Sequence, residues 1–338
     1  MSVAHSTSST LADVASAAGV SRSTASRALN DSPRISEGTK KRVREIAQEI
    51  GFVPNARGRA LAMGKSETIA VLVTEPLGEL FSDPTYSAFL SGISEHLAES
   101  DYLPALLQAS SSRERERVRK HFERRTFDAV ISITPYEGTE LLDALRDIGI
   151  PTVLCGQVEG HPYRSCFSTI YSDDVEGAEL AARCMAQRGR KRCVAILGPR
   201  ENPAATDRAR GYRKVLDEAL PEENIVYTGW SASDGFIAMR QLLETHGDID
   251  GVLAGSDRIA EGVIEALRER RLSVPDDVSV IGFDDHPIAK STSPRLTTIR
   301  QPLRDEGKLA AETALKMIDG MTPVTTVLHM SLVERESV

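Results

Sequence analysis

Apolar residues recur along the chain at two different periods, and the change falls near residue 66. Before it, Leu11, Val14, Ala15 and Ala18 follow the i, i+3, i+4, i+7 spacing of one helix face. Thr10 and Asp13 resemble a capping box at its start, and Gly19 stops it. Ser21 is placed to cap a second short helix with Ala25, Ala28 and Leu29 as its apolar stripe. Ser36 is placed to cap a third, with Val43, Ile46, Ala47 and Ile50 facing inward. Two short helices joined by a turn containing glycine match a helix-turn-helix.

From residue 68 the pattern becomes apolar, β-branched runs separated by amphipathic helical stretches. The runs are 68–74, 103–108, 129–134, 151–156, 192–198, 224–230, 250–257 and 278–285, and HMSLVERESV at the end reads as an edge strand. Strands alternating with helices predict βαβ units and parallel sheets. Eight such strands fit two doubly wound subdomains better than one. The expected architecture is therefore α/β. An all-α head spans residues 1–53 and a linker 54–65. A core spans 66–338, with an N-subdomain of about 66–165 plus 298–325 and a C-subdomain of about 166–297 plus 326–338.

Composition narrows the function classes. The 338 residues carry a net charge of −8, unevenly spread: residues 1–65 hold 10 Lys and Arg against 5 Asp and Glu, and the remainder 31 against 44. An acidic body with a basic head is expected where one end alone meets a polyanion. No apolar run approaches the roughly 20 residues that span a bilayer, and MSVAHSTSST lacks the basic start and apolar stretch of a leader. A cytoplasmic, nucleoid-associated protein without a membrane partner is expected. Cys155, Cys166, Cys184 and Cys193 show no C-x-x-C pair and read as buried free thiols, and the seven histidines have no ligand spacing, so no metal is expected. Neither a P-loop, a G-x-G-x-x-G after the first strand nor a nucleophile motif is present, which argues against an enzyme and a cofactor. His286 beside Asp284 and Asp285 is the one arrangement resembling an acid/base site, and it reads as a loop residue.

The head has its own chemistry. At 100° per residue Arg22 and Ser26 lie about 40° apart, as do Ser23 and Arg27, so the four share the face opposite the apolar stripe. Arginine can pair with guanine O6 and N7 in the major groove, and serine with bases or phosphates. Arg22, Ser23 and Arg27 are the base-reading candidates, the alternative being a solvated face with incidental arginines. In GFVPNARGRALAMGKS, Pro54 ends the third helix, Asn55 can cap, and about nine residues follow before Gly64, a helix too short to persist alone in water.

Thr10-Leu11, Asp13-Val14-Ala15, Ala18-Gly19-Val20-Ser21, Thr24, Ser26-Arg27, Asn30, Pro54-Asn55 and Leu61 together resemble the lactose/galactose-repressor family of bacterial transcription regulators. Gly282-Phe283-Asp284-Asp285 and Leu296-Thr297-Thr298-Ile299 extend the resemblance through the core. It implies a core like the periplasmic binding proteins and a hinge helix in the minor groove, where Leu61 wedges into a base step; the alternative for Leu61 is a helix-core residue. It implies operator DNA contacts from Thr10, Ser21, Thr24, Ser26, Asn30 and Asn55 besides the base readers, and Arg59 in the linker is a further candidate contact. Ala25 and Ala28 stand where the family commonly has larger aliphatics, suggesting slightly looser packing. Gly58 replaces a usual alanine and costs about 1 kcal/mol of helix propensity.

Ligands of open α/β sheets bind beyond the carboxyl ends of the strands. Loops there contribute Phe81, Tyr136, Gln157, Arg208, Trp230, Asp257 and Asp284, a set of aromatic faces and hydroxyl-binding groups that suits a sugar or glycoside effector. The resemblance implies effector contact for Arg208 and Asp284 and an aromatic near the position of Trp230. The alternatives are a turn cap for Asp284, a helix start for Asp257 and a core role for Trp230. The expected protein is an effector-controlled homodimeric repressor of a pseudo-palindromic operator. A soluble sugar-binding protein without gene control is the alternative.

Overall fold

The computed structural model describes residues 9–52, 65–135, 139–156, 160 and 162–338, so the expectations for Asn55, Gly58, Arg59, Leu61, Tyr136 and Gln157 lie outside the described residues. The chain divides into two compact units, Met1–Glu67 and Thr68–Val338.

The first unit holds α1 (Leu11–Ala17), α2 (Arg22–Leu29) and α3 (Glu37–Glu49). Each starts where a hydroxyl can satisfy a free amide of the first turn. Thr10 and Asp13 close a reciprocal capping box, and Ser21 and Ser36 accept from the amides of Thr24 (3.1 Å) and Thr39 (3.4 Å). Gly19 reverses the chain at φ +62°, a left-handed conformation that favours glycine. The core is built of small side chains: Val14, Ala15, Ala18, Ala25, Ala28, Val43 and Ala47. Ala25 and Ala28 are fully enclosed, so the looseness expected from their size does not show as exposure.

The second unit contains two six-stranded sheets among the described residues. The first is formed by β1 (Thr68–Val73), β2 (Leu103–Gln108), β3 (Ala129–Ile133), β4 (Thr152–Cys155), β5 (Ser168–Ser172) and β11 (Thr325–Leu328). Its order is β11-β5-β4-β3-β1-β2, all parallel. The second is formed by β6 (Cys193–Leu197), β7 (Ile225–Tyr227), β8 (Gly251–Ala254), β9 (Ser279–Asp284), β10 (Thr297–Arg300) and β12 (Ser331–Val333). Its order is β12-β10-β9-β8-β6-β7, with β12 antiparallel at the edge.

Helices cover both faces of each sheet, which is why the strands read as continuous apolar runs. Ile69, Val71 and Val73 face one core with α5 (Pro84–Leu97) and α12 (Leu303–Ile318). Ala70 and Leu72 face another with α6 (Ser112–Glu123) and α7 (Thr139–Ile148). The short α4 (Leu77–Ser82) precedes α5. Around the second sheet lie α8 (Asp174–Gln187) and α9 (Pro203–Leu216) on one face, and α10 (Ala232–Thr245) and α11 (Asp257–Glu269) on the other.

All eight apolar runs contain a strand, and the expected terminal edge strand is β12. Three strands went unrecognised: β5, β10 and β11 are four or five residues long and rich in Ser and Thr. The buried hydroxyls of β5 and β10 are satisfied, as where Thr298 donates to Asp257 (2.5 Å) and Ser168 accepts from the Val324 amide (3.1 Å), whereas in β11 Thr325 is exposed and Thr326 half-buried. These strands also correct the subdomain limits. Because β5 pairs with β4, β10 with β9 and β11 with β5, the chain changes subdomain near residues 173, 301 and 329 rather than at 166, 298 and 326.

Three helix pairs cross at glycines. A Cβ on Gly92 of α5 would lie 2.0 Å from the Arg304 carbonyl oxygen, and one on Gly307 of α12 2.4 Å from that of Phe89. Gly211 meets Val175 (2.4 Å) between α9 and α8, and Gly262 meets Ala232 (1.9 Å) between α11 and α10. Only hydrogen fits there, and the offending atoms are backbone. Gly92→Ala is expected to destabilise the second unit by about 1–3 kcal/mol, read as a lowered urea midpoint; an unchanged midpoint would show that the α5/α12 crossing tolerates separation.

Candidate functional site

Each unit presents one candidate site. On the first, the start of α2 carries a small hydroxyl network: Ser21 Oγ lies 2.9 Å from Ser23 Oγ and 2.8 Å from Thr24 Oγ1. Arg22, Ser23 and Arg27 are exposed, Ser26 and Asn30 half-buried, while Ala25 and Ala28 point into the core. The four-residue face read from the helical period is thus the outward one. Among the described residues, neither Arg22 nor Arg27 makes a side-chain hydrogen bond or ion pair. Two other cations of this unit are committed: Lys40 and Arg44 both hold Asp31 (3.1 and 2.7 Å), and Lys40 also holds Glu37 (2.7 Å). Hydrogen bonds from Lys40 and then Arg44 keep the Asp31 carboxyl below its ordinary range. Thr10 is occupied with Asp13 as a helix cap.

On the second unit, a cavity of about 460 Å³ lies beyond the carboxyl ends of strands from both sheets. Parallel sheets place such a crevice there because every strand delivers its following loop to the same side. Arg208, on α9, is at its centre and almost fully buried. Its Nε donates to Asp174 (2.7 Å), one terminal nitrogen donates to the Gly255 carbonyl, and the other lies 3.5 Å from Asp284. The guanidinium sits 3.8 Å over the Phe283 ring and 5.6 Å from that of Trp230. Burial opposes its charge, but Asp174 and Asp284 hold its pKa above the ordinary value. Burial pushes Asp174 up to about 6, with Arg208 pulling the other way.

Trp230 follows β7 and lines the cavity. A Cβ on Gly198 would lie 2.2 Å from its ring, so the glycine after β6 is what lets the indole lie flat against that loop. Asp284 ends β9 at φ +101° and is followed by Asp285 at φ +56°. Such conformations are unfavourable away from glycine and persist only when over-determined by their surroundings. Here Gln301 donates to Asp284, while Arg300 (2.7 Å) and Arg335 both hold Asp285.

The cavity joins Arg208, Trp230 and Asp284 of the expected effector set, and Phe81 and Asp257 lie off its wall. Phe81 is 77% exposed on α4 and absent from the cavity wall: a six-residue helix turns it outward. Asp257 is fully buried at the start of α11 and also off the wall. It accepts from the His286 amide (2.7 Å) and the Thr298 hydroxyl, bracing the β9 and β10 loops, and burial followed by Asp284 raises its pKa. Asp257 is the first residue of that helix, as in the second of its two readings. His286 is likewise more than a loop residue. It is buried against the cavity, with Nε2 3.1 Å from Thr85 Oγ1 on the opposite subdomain, and its Nδ1 has no partner among the described residues.

Several lining residues were missed. Arg258 on α11 reaches across to Asp83 (3.2 Å) and Glu79 (3.8 Å), tying the two rims together. Asp174, Gln301 and Glu306 also line the wall. Asp174 and Glu306 come from the first turns of helices, where an acid ordinarily complements the helix dipole and carries no signal of a site. All four cysteines are free and Cys166 is half-exposed, the others buried. Among the described residues no His/Cys/Asp/Glu cluster could hold a metal, and no helix is long and apolar enough to cross a membrane.

A helix-turn-helix unit followed by two doubly wound subdomains around a cleft defines a class of ligand-responsive regulators, and comparison with known proteins agrees. Residues 10–55 match "Bacterial regulatory proteins, lacI family", and residues 182–338 match "Periplasmic binding protein-like domain". The chain is 32% identical over 333 residues to the HTH-type transcriptional regulator CelR of Thermobifida fusca, covering 97% of this chain and 98% of that protein. The solved CelR–cellobiose complex aligns with a TM-score of 0.78 at 31% identity, over 98% of this chain and 100% of that one. The lac repressor dimer bound to operator and the anti-inducer ONPF shares the fold, with a TM-score of 0.82 at 23% identity over 98% and 99%. The chain belongs to the lacI family of bacterial regulatory proteins.

Proposed function

We propose that this chain is a homodimeric repressor that binds a pseudo-palindromic operator and is controlled by a neutral sugar or glycoside held in the cleft. The observation that carries the DNA reading is the pair of uncommitted arginines on the outward face of a capped α2. Arg22, Ser23 and Arg27 read bases, and Ser21, Thr24, Ser26 and Asn30 contact the same groove and its phosphates. Thr10, Asn55 and Arg59 add backbone contacts, and Leu61 wedges the minor groove.

The sugar reading is supported by an indole beside a fixed guanidinium and carboxylate, and by the cellobiose in the CelR complex. Asp174, Asp284, Asp83 and Glu79 outnumber the cations Arg208 and Arg258 on the wall, which disfavours an anionic ligand. Association through the second unit is supported by the edge strand β2, where Leu103 and Leu106 are 70% and 42% exposed. An apolar sheet edge invites a second copy. Effector binding would shift the two subdomains and change operator affinity, typically by about 1–3 kcal/mol.

The test is a gel shift with duplexes selected from a random library. The intact chain is expected to retain a palindromic sequence, a chain starting near residue 66 to retain none, and cellobiose to change the shift while altering Trp230 fluorescence. A fluorescence response without any preference among duplexes would identify a sugar-binding protein without gene control.

A further inference from the structure

Among the acids of the cavity wall, Glu306 is deeply buried and takes part in no ion pair found among the described residues. Glu306, on α12, is 2% exposed. Its Oε2 accepts a hydrogen bond from Ser172 Oγ at the end of β5 (3.0 Å), and no protein partner of Oε1 is found among the described residues.

The elements packed against α12 supply no cation to it. From α5 come Tyr86, whose hydroxyl is 3.2 Å from that of Thr134, and farther along Glu95 and His96. Cys155 comes from β4, Tyr171 from β5 and Asp174 from the start of α8, while β3 has no titratable residue. On α12 itself Arg304 and Lys308 turn outward to Glu95, Lys316 pairs with Glu312, and Asp305 is exposed. Burial therefore dominates and pushes the Glu306 carboxyl up to about 8, with Asp174 adding repulsion. Burial thus favours its uncharged form at neutral pH. A protonated carboxyl has one proton to donate, and with Ser172 Oγ able to donate to Oε2, Oε1 can carry that proton toward the cavity. Glu306 lines the cavity, where its carboxyl can offer that proton to a bound ligand oxygen.

We infer that Glu306 is a specificity-determining residue of the cavity, donating a hydrogen bond from Oε1 to an uncharged hydroxyl or ring oxygen of the effector. The inference rests on the sugar reading given above. It adds a discrimination that Arg208 cannot make: a neutral donor ringed by carboxylates accepts a sugar and rejects its phosphate or its acid. It also links affinity to pH, because ionised Glu306 has no proton to give. Burial lifts Cys155, Tyr86 and Tyr171 above their ordinary values, so between pH 7 and 9 Glu306 is the acid of this group that titrates.

The experiment uses the full chain, with cellobiose and ribose as probes, titrated by calorimetry from pH 7 to 9. Wild type is expected to bind one of them with constant affinity up to about pH 8 and to weaken roughly tenfold per unit above it. Glu306→Gln retains a donor without titrating, so it should bind within a few-fold at pH 7 and show no such decline. Glu306→Leu should lose on the order of tenfold at pH 7. Infrared difference spectra of wild type against the Gln variant should show a protonated carboxyl band at pH 7 that shifts when the bound sugar is added, a readout that holds should the Leu variant not fold. An ionised carboxyl at pH 7, or a sugar bound equally by all three proteins at every pH, overturns the inference while leaving the sugar reading intact. Failure of both sugars to bind wild type overturns the sugar reading and this inference with it.

Discussion

Replacing Arg208 by leucine is expected to destabilise the second unit by about 3–5 kcal/mol, the usual cost of stranding a buried charge partner. Two carboxylates lose their counter-charge at once, since Asp174 lies 2.7 Å and Asp284 3.5 Å from the guanidinium, and the rings of Phe283 and Trp230 lose the cation above them. The deficit should depend on pH. Asp174 is already held up to about 6, with Arg208 pulling it down, so removing the arginine lets burial lift it further. A carboxyl more readily protonated in the fold than in the unfolded chain stabilises the fold at low pH, and that contribution is lost as pH rises through its folded value. Urea unfolding should therefore show a larger gap between variant and wild type at pH 8 than at pH 5. Arg208→Lys should recover only part of the loss, because one ammonium cannot reach Asp174, Asp284 and the Gly255 carbonyl in their three directions. A pH-independent deficit below about 1 kcal/mol would mean that water, not Arg208, balances these acids.

The same cluster shows which parts of the site are legible in a sequence. Rules about strand ends place a loop correctly but not the direction of its side chains. Asp284 and Trp230 follow strands and face the cavity; Asp257 follows one and turns inward to brace His286 and Thr298, and Phe81 turns out to solvent. Glu306 lies in LRDEGKLAAE, a stretch that reads as an ordinary charged helix start, and only the packing of α12 against α5 reveals it as buried. For the fold, caps and apolar periods were sufficient for α1, α2 and α3, since Thr10, Ser21 and Ser36 act within their own helices. Strands β5, β10 and β11 were invisible for the opposite reason. Their stability comes from partners distant in the chain, such as Asp257 for Thr298, and a Ser/Thr-rich tetrad has no local signature of burial.

On the first unit the expected effect is on binding rather than stability. Arg22→Ala and Arg27→Ala should each weaken binding to a selected palindromic operator by about 1–3 kcal/mol, and the double variant by more than either. Thermal unfolding should scarcely change, because exposed side chains without partners contribute within about 0.5 kcal/mol. Arg44→Ala is the internal control: it breaks a pair with Asp31 that helps hold the turn after α2 to α3, so its effect should appear in stability first. Affinity for random DNA separates the two roles an arginine can take. A base-reading arginine loses operator affinity selectively, whereas a phosphate contact weakens all duplexes alike and lowers the salt dependence of binding. Equal losses on operator and random duplex in both single variants would leave the outward face of α2 as an electrostatic patch, and the reading of sequence would have to come from elsewhere in the chain.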